Sequence, residues 1–199
     1  MKRFGMLLLI MAVCFGLVAC SIPTPPPQTA ADGTPWSADW ETVGGALGVE
    51  TPDAFTLLQN NDTLTSNGMA YATWSMGEGE PYTTQDDKEA TLYDAQLYIL
   101  LARSESPEKA EETLTEWMGL GEEMYVLESS TQENYGGQEF TVLTYSYASA
   151  ENPYSAGASA LGVFFNYTIS VEITCRSEAA NDPKAILTDF LEHCQYAGE

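Results

Sequence analysis

Residues 168–176, TISVEITCR, alternate without a break. Ile169, Val171, Ile173 and Cys175 fall on one side of an extended chain, and Thr168, Ser170, Glu172 and Thr174 on the other. A stretch of strict two-residue period, rich in β-branched side chains, commits the chain to a strand with two unlike faces. A sheet face lined by Ile and Val has to be covered, so the chain must also supply something to lie on it. Two segments have the helical period this needs. Ser106-Pro107-Glu108 reads as a helix start, with serine as the cap, proline in the first turn and an acid at the positive end of the dipole. Ala110, Leu114, Trp117 and Met118 follow as one apolar stripe, and Gly119 and Gly121 are stop signals. Asp182-Pro183 repeats the start, and Ile186, Leu187, Phe190, Leu191 and Cys194 form the second stripe.

Further strands are expected at Phe55–Leu58, Met69–Met76, Thr91–Arg103, Tyr125–Glu133, Gln138–Tyr147 and Ala160–Phe165. Asn134-Tyr135-Gly136-Gly137 reads as a hairpin loop, and Asn166-Tyr167 as a second turn. The expected order is β-β-β-α-β-β-β-β-α. Strand runs separated by isolated helices predict an α+β fold, with a largely antiparallel sheet and flanking helices. Residues 37–199 suit one globular domain, with no visible internal repeat or second linker. The segment FFNYTISVEITCRS, the link EAAN and the run DPKAILTDFLEHC resemble, in pattern, the PsbP-like α/β/α sandwich. That resemblance implies accessory protein binding rather than chemistry. It carries over no functional residue. A cystatin-like or nuclear-transport-factor-like arrangement of sheet and helix is the alternative.

The chain begins MKRFGMLLLIMAVCFGLVAC, a basic start followed by an apolar run and then small residues. This is the layout of a secretory signal peptide, and the run from Met6 to Val18 is short for a membrane span. Leu17-Val18-Ala19-Cys20, with Ser21 after the cysteine, resembles the lipobox of bacterial lipoproteins. The resemblance implies a signal peptide over 1–19, cleavage before Cys20, and lipid on the Cys20 thiol. The protein is then held to the cell membrane by lipid, facing the extracytoplasmic side, without spanning the bilayer. Residues 20–36 hold Pro23, Pro25, Pro26, Pro27 and Pro35, and read as an extended tether.

Charge narrows the function. Asp and Glu number 29 against 7 Lys and Arg, for a net charge of −22. Nucleic-acid binding, which needs clustered bases, is excluded. The lone histidine, His193, excludes multi-histidine metal sites and leaves no convincing Ser-His-Asp triad. No cofactor motif is present. The acidic field serves solubility, or favours a cationic partner if it serves recognition.

With Cys14 in the signal segment and Cys20 as the lipid site, Cys175 and Cys194 remain. In an exported protein this even pair is expected to form a disulfide, the alternative being two buried free thiols. The cluster Asp86-Asp87-Lys88-Glu89, with Glu78 and Glu80 before it, reads as a solvated acidic loop rather than a calcium site, because the EF-hand alternation is missing. Tyrosine is abundant, and Tyr98, Tyr145, Tyr147 and Tyr154 are the candidate ligand surface, against a reading in which they pack a second core face. The loop Ala148–Ala158, which carries Tyr154, is the most site-like. The expected function is a non-catalytic extracytoplasmic lipoprotein that binds a protein or ligand. A cell-surface hydrolase or carbohydrate-active enzyme with paired carboxylates is the alternative.

Overall fold

The computed structural model describes residues 28–29, 35–36, 54–61, 65, 67–84, 87–119, 124–135, 137–149, 152–176 and 181–194. The signal segment, Cys20 and the stop signal at Gly121 lie outside the described residues. The strands are β1 (Gln28–Thr29), β2 (Pro35–Trp36), β3 (Phe55–Asn61), β4 (Met69–Met76), β5 (Glu80–Thr83), β6 (Glu89–Leu92) and β7 (Ala95–Arg103). Helix α1 (Pro107–Gly119) follows, then β8 (Tyr125–Tyr135), β9 (Gln138–Tyr147), β10 (Tyr154–Phe164), β11 (Tyr167–Arg176) and helix α2 (Pro183–Glu192).

The fold is α+β. A seven-stranded sheet runs in the order β3-β4-β7-β11-β10-β9-β8, and its pairings are antiparallel. β5 and β6 form a separate hairpin-like pair, and β1 and β2 another short pair. These four short strands are additions to the expected order.

The alternation in β11 sorts the two helices. Ile169, Val171, Ile173 and Cys175 sit in the main core with Leu187, Phe190, Leu191 and Cys194 of α2 and its C-terminal turn. Across neighbouring strands the same face continues as Leu97, Ile99 and Leu101 of β7 and as Ala158 and Ala160 of β10. Each such Leu, Ile or Phe, removed wholly from water, contributes about 1.5–3 kcal/mol before chain entropy is counted. The opposite face carries Leu143, Tyr145 and Leu161, on which Leu114, Trp117 and Met118 of α1 pack. Thr168 Oγ1, buried on that face, donates to the Ala110 carbonyl at 2.9 Å and pins α1 to β11. Both helix starts act as caps. Ser106 Oγ accepts from the Lys109 amide at 3.3 Å, and Asp182 Oδ1 from the Lys184 amide at 2.9 Å.

β3 runs past the expected Leu58 to Asn61, and Asn134 and Tyr135, expected in a hairpin loop, pair with Glu139 and Gln138 as the end of β8. Three further boundaries differ from the sequence reading, each for a tertiary reason. The run Thr91–Arg103 is two strands. Asp94 leaves the ladder, its amide donating to Met76 O and its carbonyl accepting from the Arg176 amide, both at 3.0 Å, so β6 turns away to pair with β5. The second half of the expected loop Ala148–Ala158 is strand, because β10 starts at Tyr154 opposite Arg176. Its Ala, Gly and Ser residues carry no apolar alternation that would announce this. The last turn sits at Phe165-Asn166, with Phe165 at φ 58°, and Tyr167 already belongs to β11.

The disulfide expectation is corrected as well. Cys175 and Cys194 are separate buried thiols within one core cluster. The Cys194 thiol donates back along its own chain to Phe190 O at 3.5 Å, as a buried small hydrophobe with a weak donor does. Burial pushes the Cys175 thiol up to about 11.

Candidate ligand site

The register of four strands assembles the site on the α1 face of the sheet. On β11, Glu172 stands between Ser159 of β10 and Tyr98 of β7. One strand further, Tyr145 of β9 lies opposite Gly157 of β10. A Cβ at Gly157 would meet Cε2 and Cζ of Tyr145 at 2.5 Å and Oη at 2.6 Å, so the ring occupies the place a side chain would take. Leaning over β10 in this way, Tyr145 donates its hydroxyl to Glu172 Oε1. Ser159 Oγ donates to Tyr145 Oη at 3.4 Å. The Tyr145 ring is held from both sides, by Tyr125 with centroids 4.6 Å apart and by Tyr147 at 5.7 Å and nearly perpendicular. Such ring pairs add about 0.5–1.5 kcal/mol each beyond the area they bury.

Burial raises the pKa of Glu172, opposed in part by the Tyr145 hydrogen bond. The Tyr145 and Tyr147 hydroxyls are raised too, first by burial and then by the Glu172 charge. Burial, and then Tyr71, raise Tyr98. The tyrosines therefore stay protonated at neutral pH as hydrogen-bond donors.

Two cavities meet here. The smaller, about 260 Å³, is lined by Tyr98, Trp117, Tyr125, Tyr145, Tyr147 and Glu172, together with leucines, serines and Met124. The larger is a cleft of about 890 Å³ between the β5–β6 pair and the segment leading into β10. Tyr82, Leu92, Gln96, Pro153 and Tyr154 are among its walls. Met124 and Tyr147 line both. Met124 is 66 % exposed, so the partition between the cavities is in part an unbranched, adaptable side chain. Two hydrogen bonds set the cleft wall. Asn152 Oδ1 accepts from the Tyr154 amide at 3.0 Å, and Tyr154 Oη accepts from the Tyr93 amide at 3.4 Å.

The four tyrosines singled out in the sequence thus divide between two linked cavities. Tyr98, Tyr145 and Tyr147 line the smaller, and Tyr147 and Tyr154 the larger. Tyr145 is almost wholly buried and packs in the α1-side cluster, while Tyr98 is 36 % exposed. Glu172 and Trp117 were missed. Trp117 reads as part of a helix stripe. Glu172 reads as one more polar position, although a lone acid on a strand face that α1 must cover was a usable signal. Among the described residues, Glu172 is the one acid lining either cavity, so no carboxylate pair is assembled there. Of the acidic loop, Asp87 and Lys88 lie between β5 and β6 and Glu89 opens β6, while Asp86 is outside the described residues. Among the described residues no group of three His, Cys, Asp or Glu side chains is placed to hold a metal. No described helix is long and apolar enough to cross a membrane. No protein-family model matches this chain, and no curated protein matches it in sequence.

Proposed function

We propose that this chain is a non-catalytic extracytoplasmic lipoprotein, held to the cell membrane by lipid on Cys20, that binds a ligand or partner protein in the tyrosine-lined cleft. The observation that carries the reading is the cleft itself, about 890 Å³ with Tyr82, Tyr147 and Tyr154 in its walls, and sharing Met124 and Tyr147 with a second aromatic cavity. Binding sites are typically concave, largely apolar, and furnished with a few placed polar groups, here the Tyr147 and Tyr154 hydroxyls. The chain's net charge of −22 favours a cationic partner over an anionic one. A helix on each face of an antiparallel sheet, with a strand hairpin running into the closing helix, supports the finer assignment to a PsbP-like α/β/α sandwich. That assignment fits an accessory role.

The test has two parts. Mass spectrometry of the mature protein from its host membrane should find lipid on Cys20, and an unmodified, freely soluble chain would overturn the anchor. Cross-linking on cells should capture a partner with the wild-type protein and fail with Ala90→Arg. Ala90 is exposed and lines the cleft, so the arginine obstructs it without disturbing the core. Equal capture by both proteins would overturn the cleft as the binding surface. The hydrolase reading has Glu172 as its one acid in the two cavities among the described residues. It still requires a second carboxylate beside it.

A further inference from the structure

We propose that the Glu172 cavity receives a methylated ammonium head group, with the rest of that ligand lying in the adjoining cleft. The inference rests on the proposed binding role and deepens it by naming the ligand's chemistry. Three features converge on a cation. Five aromatic side chains, Tyr98, Trp117, Tyr125, Tyr145 and Tyr147, bound a cavity of about 260 Å³, and the electron-rich faces of such rings attract cations. A single carboxyl, Glu172, stands among them, and none of the described residues lining the cavity is basic, so the protein supplies no positive charge of its own there. The surrounding chain is strongly acidic, which raises the local concentration of cations and repels anions.

The form of the head group follows from the rest of the lining. Leu100, Leu143, Leu161 and Met124 offer surfaces for methyl groups beside the rings, while Ser159 and Ser170 add two hydroxyls, of which that of Ser159 is already turned to Tyr145 Oη. A cavity of about 260 Å³ is smaller than a pocket for a whole drug-sized ligand, and suits a head group. Met124 and Tyr147 line both cavities, so the remainder of the ligand would lie across these two side chains in the larger cleft, whose described lining residues carry no charge.

Choline is the probe, and 3,3-dimethylbutan-1-ol is its uncharged isostere. Isothermal titration on the full mature chain should show choline binding at least about tenfold more tightly than the alcohol. Glu172→Gln should weaken choline by about tenfold or more while leaving the melting temperature near wild type. Should that variant fail to fold, Tyr98→Leu, at a partly exposed wall of the cavity, should weaken choline and leave the fold intact. Phosphatidylcholine vesicles form a separate arm. Displacement of choline by vesicles assigns the head group to a lipid, and its absence, with choline binding intact, assigns it to a free ligand. Equal affinity for choline and the alcohol, or wild-type affinity in Glu172→Gln, would overturn the ammonium assignment while leaving a binding cavity. No binding of choline would overturn it outright, and the capture experiment with Ala90→Arg then decides the broader binding role separately.

Discussion

Gly157→Ala tests the geometry on which the site depends. The change adds one methyl group on β10, between β9 and β11, where the Tyr145 ring already lies 2.5 Å from the new carbon. Ordinary contact between carbons needs about 3.5–4.0 Å, so ring and strand must separate by about 1 Å or more. The free space beside the ring is the cavity it lines, and moving into it breaks the contacts that hold the ring. Tyr125 and Tyr147 flank it, Glu172 holds its hydroxyl, and Tyr145 is only 3 % exposed. Overpacking of this kind costs about 1–3 kcal/mol. For a domain of this size that lowers the melting temperature by about 2–4 °C per kcal/mol, so a fall of about 4–8 °C is expected near the middle of the range. Thermal unfolding followed by circular dichroism measures it. Gly119→Ala is the control, because that position has open space around its missing side chain, and its melting temperature should hold or rise slightly. The double variant Gly157→Ala with Tyr145→Leu should lose clearly less than the two single losses added together. If Gly157→Ala melts within about 1 °C of wild type, or if the two losses simply add, the ring does not sit over Gly157 and the Tyr145–Glu172 contact loses its cause.

Three further outcomes follow from named contacts. Glu133 is held down to about 2 by the Lys184 ammonium at 2.6 Å, with help from Thr131 and Tyr135. Its folded pKa is below the unfolded value, so its stabilisation is full above about pH 4.5 and disappears as pH falls through about 2. Because Lys184 is 39 % exposed and the pair borders solvent, Glu133→Gln should cost about 0.5–1 kcal/mol at pH 7, and denaturant titrations at pH 7 and pH 3 should show the gap between variant and wild type narrowing. Thr168→Val keeps the shape but removes the buried hydroxyl that reaches Ala110 O, and should cost about 0.5–1.5 kcal/mol by urea unfolding. Gly68→Ala combines a φ of +75° with a Cβ 2.9 Å from Arg103 O, so it should destabilise by about 2 kcal/mol or more, and a melting temperature equal to wild type would contradict the turn geometry.

What the sequence determined by itself is local. The strict alternation of β11, the capped starts of α1 and α2, and the single apolar stripe on each helix are properties of neighbouring residues, and they specify strands, helices and a covered antiparallel sheet. The expected alternation also brought Ile169, Val171 and Ile173 to one face, where α2 meets them. The split at Asp94 and the early start of β10 were not legible. Asp94 leaves its strand because of Met76 and Arg176, partners distant in the chain, and β10 extends to Tyr154 because Arg176 pairs there, across residues too small to show a period. The site belongs to the same class. Glu172 on β11, Tyr98 on β7, Tyr145 on β9 and Gly157 on β10 have no common pattern in sequence. They become neighbours only once strand order and register are set. Register moves every side chain of a strand together, so a slip of one residue would turn Glu172 to the α2 face and Tyr145 away from Gly157. Side-chain type and spacing therefore determined the elements, and the pairing of strands far apart in the chain decided which acid the tyrosines surround.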